Sequence, residues 1–309
     1  MTKRIRVSQV TVPLQHEIRQ VVKKACRVSG IRESDILRYE IAKLSVDARH
    51  KEDVKYSYSL ALPLNRGVRY KKDSRYIREV VCAGYQPEPT GDTPLQSPVA
   101  VIGSGPAGLF CAYLLAKNGY RPLVFERGKC VAERQQDVEK FWRDGRLLPD
   151  SIVQFGQGGA ATLSDGKLNT LVKDKKGRNR FVLETFVSCG APEDILYAGK
   201  PHIGTDILRT VVSNMRKEII RMGGSFSFSS KVTDIEIIDG KLSSLIINDE
   251  KQIPVSAAVL AIGHSARDTF SILRERAVSM EAKSFAVGFR VEHPQEMIDI
   301  SQYGNVADR

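Results

Sequence analysis

Three glycines at fixed spacing, Gly103, Gly105 and Gly108, stand between an apolar run, Val99 to Ile102, and a helical one. That spacing has a chemical use. The first glycine permits a tight strand-to-helix turn, the second lets the backbone approach a pyrophosphate, and the third lets the helix pack close to the sheet. Ser104, Pro106 and Ala107 fill the turn, and Pro106 suits a first helical turn, where its missing N–H costs nothing. The N–H groups and positive dipole end of the helix would then face the phosphates. Glu126 lies 18 residues after Gly108, at the end of a second apolar run, Pro122 to Phe125. It stands where a carboxylate grips a ribose hydroxyl pair, and it disfavours the 2′-phosphate of NADP. A bare glycine pattern is weak evidence. Here a preceding strand, small Ala112, apolar Leu109, Leu114 and Leu115, and a helix stop at Gly119 accompany it. A βαβ unit without a ligand is the competing reading.

Two later stretches have the same character. Phe155 to Gly166 is rich in Gly and Ala and runs into Ser164-Asp165-Gly166-Lys167. Such a loop presents N–H groups to a pyrophosphate and leaves room for a flat ring, although an ordinary surface turn has the same composition. Ala257 to Ile262 predicts a buried strand that ends at Gly263, with His264 directly after it. A histidine there is a candidate acid or base, weighed against a structural hydrogen-bonding role. His202, beside a proline, is a weaker candidate, and His16, His50 and His293 lack metal-ligand spacing. No paired carboxylates and no Ser-His-Asp set suggest hydrolysis.

The elements that must position these residues are legible in the periodicity. Val131 to Trp142 reads as a helix carrying Arg134, Asp137, Glu139 and Lys140, and Thr205 to Met222 as an amphipathic helix with a basic polar face. Ser225 to Phe228, Val232 to Ile238, Leu242 to Ile247 and Ile253 to Val255 read as the strands of a β-meander. Ahead of the glycine turn, a strand (5–12), a helix (15–28) and two strands (36–46, 54–62) follow in a β-α-β-β order. That order suits a small ferredoxin-like α+β sandwich. The fold class expected is therefore α/β: a Rossmann-like domain with β-meander insertions behind a ferredoxin-like domain. Its boundaries are 1–85, a Pro/Thr/Gly linker at 86–98, an incomplete, discontinuous Rossmann-like domain at 99–283, and the start of a further domain at 284–309.

Composition narrows the function. The 309 residues suggest about two domains, and 42% hydrophobic residues are enough for two cores. The longest apolar run is far short of the ~20 residues that span a bilayer, and the basic N-terminus lacks a signal peptide's apolar core. Five scattered cysteines with no CxxC pair fit a reducing cytosol, and Cys111 fits a helix core. Residues 1–95 hold 19 Lys+Arg against 11 Asp+Glu, so most of the +11 excess lies in the leading segment. Arg66 to Arg78, RGVRYKKDSRYIR, interleaves basic residues with tyrosines, which would suit nucleic acid; no RNA-binding signature accompanies it, and a solvated connection has the same composition.

Glu126-Arg127-Gly128, then VQFGQGGAATLSDGKLNT (153–170), PHIGTDIL (201–208), VLAIGHSARDTF (259–270) and FAVGFRVEHPQ (285–295) carry a family resemblance. The chain resembles, over almost its whole length, the uncharacterised bacterial FAD-dependent dehydrogenases, a NAD-utilising branch of the flavoproteins with two dinucleotide-binding domains. The resemblance implies FAD as cofactor, with NAD(P)H as the electron donor or acceptor. It implies that Arg127 belongs to the cofactor-binding set, and that Gly158, Gly159, Ser164, Asp165 and Lys167 run beside the flavin. Backbone at Val232 would contact the adenine, and Ala261-Ile262-Gly263 would replace the family's Ala-Thr-Gly-like turn, with an isoleucine where a hydroxyl is common. Lys167 and His264 are then the candidate catalytic residues. Relatives continue past a FAVGFRVEHPQEMIDISQYG-like stretch to a closing Gly-rich turn, which the sequence is expected to lack.

The function expected is hydride transfer through bound flavin to or from a small-molecule redox substrate, in the cytoplasm and away from membranes. Two alternatives stand beside it. One is a non-catalytic FAD-binding module whose basic N-terminal domain docks RNA or an acidic partner; the other is an incomplete remnant.

Overall fold

Alternation in the first strand decides the first layer. In β1 (Arg4–Pro13) the side chains of Ile5, Val7, Val10 and Val12 are buried, and their neighbours face outward. Helix α1 (Ile18–Ser29) lays Val21, Val22, Ala25 and Cys26 on that apolar face and ends at Gly30 in the left-handed region. Strands β2 (Glu40–Asp47), β3 (Lys55–Pro63) and β4 (Ile77–Glu79) complete an antiparallel sheet in the order β2-β3-β1-β4. That is the strand order of the ferredoxin-like sandwich. The second helix of that fold is missing, because residues 64–76 join β3 to β4 without one among the described residues. Helix α1 therefore covers the inner face of the sheet alone among the described residues, and on the opposite face Arg6 and Arg78 stand directly opposite each other on adjacent strands. The basic 66–78 stretch thus contributes β4 to the sheet.

The computed structural model describes residues 3–71, 75–80, 84–88, 91–163, 166–168, 170, 172–289 and 291–306. After the linker, β5 (Val99–Ile102), α2 (Pro106–Lys117) and β6 (Leu123–Phe125) form the βαβ unit read from the glycine pattern. They are followed by α3 (Val131–Asp144), α4 (Arg178–Ser188) and α5 (Thr205–Arg221). Then come β7 (Ser225–Ser227), β8 (Val232–Ile238), β9 (Lys241–Ile247), β10 (Lys251–Pro254), β11 (Ala257–Leu260), α6 (Arg267–Glu275) and α7 (Gln295–Tyr303).

A parallel sheet ordered β11-β5-β6-β7 forms the centre. On one face α2 and α5 pack through Leu109, Ala112, Leu208, Val212, Met215 and Ile219. On the other, the three-stranded antiparallel sheet β10-β9-β8 supplies Val232, Leu245 and Ile247 against Ala100, Ile102 and Phe125. The chain is a mixed α/β protein with a Rossmann-like unit.

Three sequence expectations change here. Ser225–Ser227 is no part of the meander; it pairs in parallel with Leu123–Phe125 as an edge of the central sheet. β11 is not buried, because it takes the opposite edge and leaves Leu260 46% exposed. Helix α4 was unforeseen. The two layered units meet along the outer edge of β2, where Leu44 donates its N–H to the Tyr197 carbonyl at 2.7 Å and accepts from Gly199 N–H at 2.6 Å. Among the described residues no helix is long and apolar enough to cross a membrane.

Candidate dinucleotide site

The glycine turn is built by exclusion. Gly103 has φ +98°, and a Cβ there would lie 2.5 Å from the carbonyl oxygen of Ala261, at the end of β11. A Cβ on Gly108 would lie 1.9 Å from the Gly103 carbonyl oxygen, so α2 reaches the turn only because that position is bare. Gly105 is different: nothing lies within 4 Å of its Cβ position, and it opens on a cavity. Its N–H and that of Ala107 have no acceptor among the described residues, as first-turn amides of a helix do until a ligand or cap takes them.

The cavity holds about 370 Å³, within the ~300–1,000 Å³ range of ligand pockets. Gly103, Gly105, Pro106 and Ala107 form one side, Glu126, Arg127 and Val232 another, and Ala261, Gly263 and His264 a third. The fourth is a wall of Gln154, Phe155, Gly156, Gly159 and Ala160. Residues that lie more than 150 positions apart in the sequence therefore share one concavity at the carboxyl ends of the parallel strands, where open α/β sheets bind ligands.

Glu126 is 4% exposed and already well occupied. Oε2 accepts from Ser104 N–H and Ser104 Oγ, each at 2.7 Å, and Oε1 accepts from Gly128 N–H and Gly156 N–H, each at 2.9 Å. A carboxylate offers about four lone-pair sites. A ribose hydroxyl at this side of the cavity would share an oxygen already bonded to the protein.

Arg127 is also committed. Its guanidinium lies 4.5 Å over the Phe155 ring and donates to Asp268 Oδ1 at 2.9 Å and to Thr269 Oγ1 at 3.2 Å. Lys231 adds a second cation to Asp268 at 2.6 Å. Burial raises the Asp268 carboxyl, but the hydrogen bonds from Arg127, Lys231 and the Thr269 N–H outweigh it and hold the group well below the usual carboxylate range. The start of α6 is thereby latched to the end of β6.

The remaining candidates scatter. Gly158 does not line the cavity: it donates its N–H to the Ser104 carbonyl at 2.8 Å, and a Cβ there would lie 2.3 Å from Thr162 Cγ2. Lys167 is exposed, pairs through its backbone with His202 and does not line the cavity. It leaves because Gly166 turns there (φ +73°) and packs on the Ile203 carbonyl. Ser164 and Asp165 lie outside the described residues. His264 does face the cavity, exposed and with no hydrogen bond from its ring among the described residues.

One residue of the site was read only as part of a helix. Arg134 of α3 is 1% exposed and lies behind the wall. It donates to the carbonyls of Ile152 (2.9 Å), Val153 (2.6 Å), Gln157 (3.0 Å) and Gly159 (2.9 Å), and to Thr162 Oγ1 (2.8 Å). Burial pushes its pKa down to about 10, the charge of Glu126 opposing that fall and Arg209 adding to it. The signal was available: Arg134 falls on the same helical stripe as Val131, Val138 and Phe141, where an apolar residue is the norm.

Parts of the chain are similar to known proteins. Residues 4–62 match a domain of unknown function, DUF8436, and residues 101–143 match the NAD(P)-binding Rossmann-like domain. A protein of Clostridium beijerinckii described as uncharacterized is 44% identical over 308 residues, covering 97% of this chain and 56% of that protein. The chain thus spans about half the length of that relative. The thiamine thiazole synthase of Thermotoga maritima is 24% identical over 221 residues, 68% of this chain and 70% of that protein. Among solved structures, THI4 of Thermovibrio ammonificans is 19% identical with a TM-score of 0.37, covering 59% of this chain and 64% of that one. Glycine oxidase of Bacillus cereus is 15% identical with a TM-score of 0.38, covering 58% and 59%.

Proposed function

We propose that this chain holds the dinucleotide of an FAD-dependent oxidoreductase. The observation that carries the reading is the convergence of the Gly103–Gly108 turn, Glu126 and Ala261–His264 on one cavity. The turn fits a diphosphate: Gly105 is open to the cavity, the residues with unpaired first-turn amides line it, and the helix dipole favours an anion. Gly105 to Ala107 would hold the phosphates, and Val232 and the Arg127–Phe155 stack would flank the adenosine half. Flavin, when bound, supplies the two-electron chemistry, and the protein supplies position and electrostatics. His264, which lines the cavity beside the Ala261–Gly263 turn, would exchange a proton with a bound group. NAD(P)H is the proposed redox partner, and a small molecule the substrate.

The test is the visible absorption spectrum of the purified 309-residue chain, before and after titration with FAD. A stoichiometric flavin spectrum that bleaches with NADH supports the reading. A folded, colourless protein that ignores added FAD but binds NADH would replace it with a flavin-free dehydrogenase.

A further inference from the structure

Residues 151–158 carry neither helix nor strand, yet they form a wall of the cavity. Irregular backbone at a buried position must still satisfy its polar groups. Two buried ions of opposite sign do this here, without touching each other. Glu126 takes amide N–H groups, including that of Gly156; Arg134 takes carbonyls, from Ile152 to Gly159. The wall is thereby pressed on the phosphate turn, with the Cβ position of Gly159 only 3.3 Å from Gly105 Cα. Every hydrogen-bond partner of the Arg134 guanidinium among the described residues is a neutral oxygen, and Glu126 acts on it through space without an ion-pair contact. A cation in such low-dielectric surroundings acts strongly on whatever anion enters beside it.

On the proposed dinucleotide reading, we infer that Arg134 is a positioning residue for the diphosphate. It fixes the Gly156–Ala160 stretch against the Gly105–Ala107 turn and supplies the positive potential felt at that end of the cavity. A planar guanidinium meets all five acceptors in a fixed fork; a lysine ammonium offers three donors and reproduces only the charge.

The experiment measures calorimetric affinities for ADP and for adenosine, using the whole chain as wild type, Arg134→Gln, Arg134→Lys and Thr162→Val. Wild type is expected to prefer ADP. Arg134→Gln should cut the ADP-to-adenosine affinity ratio about tenfold or more, in line with the loss of a charge-assisted interaction. Arg134→Lys should recover part of the ratio. Thr162→Val, which removes one acceptor of the fork, should lower it about threefold. A merely structural arginine would weaken both ligands equally, and a ratio unchanged in the variants overturns the inference. If Arg134→Gln does not fold, Thr162→Val decides by the same ratio. Wild type binding neither ADP nor FAD would instead sink the dinucleotide reading itself, a distinguishable result.

Discussion

Ser104 meets Glu126 twice, through its amide and its hydroxyl, on the same carboxylate oxygen. Ser104→Ala keeps the amide bond and removes the hydroxyl one, and urea unfolding should report a loss of ~1.5–3 kcal/mol, the range for hydrogen bonds to charged groups. An unchanged midpoint would show that the hydroxyl is replaceable by water. Asp268 makes a pH prediction. The hydrogen bonds from Arg127 and Lys231 outweigh its burial and depress its folded pKa below the ordinary carboxylate value, so the unfolded state takes up the proton first as pH falls. The stability it contributes is complete above that unfolded value and drains away as pH falls below it. Asp268→Asn should therefore be less stable than wild type by a constant margin from pH 7 to about 5, and the margin should shrink below pH 4. That the glycine turn, Glu126 and His264 gather on one cavity was legible, because they follow strands that lie side by side in a parallel sheet. Arg134 was passed over although its stripe with Val131, Val138 and Phe141 marked it, because a charged residue on a helix looks solvated until the helix is seen to bury that stripe.

At the scale of elements, helices α3 and α5 follow the sequence reading to within a residue or two, since their apolar stripes and flanking glycines mark both ends. Strand β7 was misassigned for a reason of the same kind. Its alternating Ser-Phe-Ser-Phe pattern says strand, and only the tertiary pairing with β6 says which sheet. Likewise β11 looked like a core strand, because an apolar sequence does not reveal that the strand takes an edge of the sheet among the described residues. The face of the antiparallel sheet opposite α1 supplies a prediction. Arg6 and Arg78 oppose each other directly, and like charges in register destabilise a sheet. Arg78→Glu should stabilise the protein by ~0.2–1 kcal/mol in low salt, with the gain shrinking at high salt. A stabilisation indifferent to salt would point to strand propensity instead. Gly108→Ala tests the α2 contact: its Cβ has nowhere to go, so both thermal stability and affinity for ADP should fall together.

For the whole molecule, the short pairing between β2 and residues 197–199 decides whether the two units act as one body. Gly199 lies so close to β2 that a Cβ would sit 2.6 Å from Ser45 Oγ. Gly199→Val should part the edges, and hydrogen exchange should accelerate at Leu44 while α1 and β1 keep their protection. Equal acceleration throughout the leading unit would mean that its fold depends on the contact. The ion-built wall has a different consequence, in the currency of heritable variation. Glu126 and Arg134 hold main-chain atoms, so Gln154, whose side chain takes no part in those bonds, is free to change identity without dismantling the wall. Descendants of this chain can drift in what the cavity recognises while its scaffold is inherited intact, and a saturation library should show tolerance at 154 beside intolerance at 126, 134 and 156.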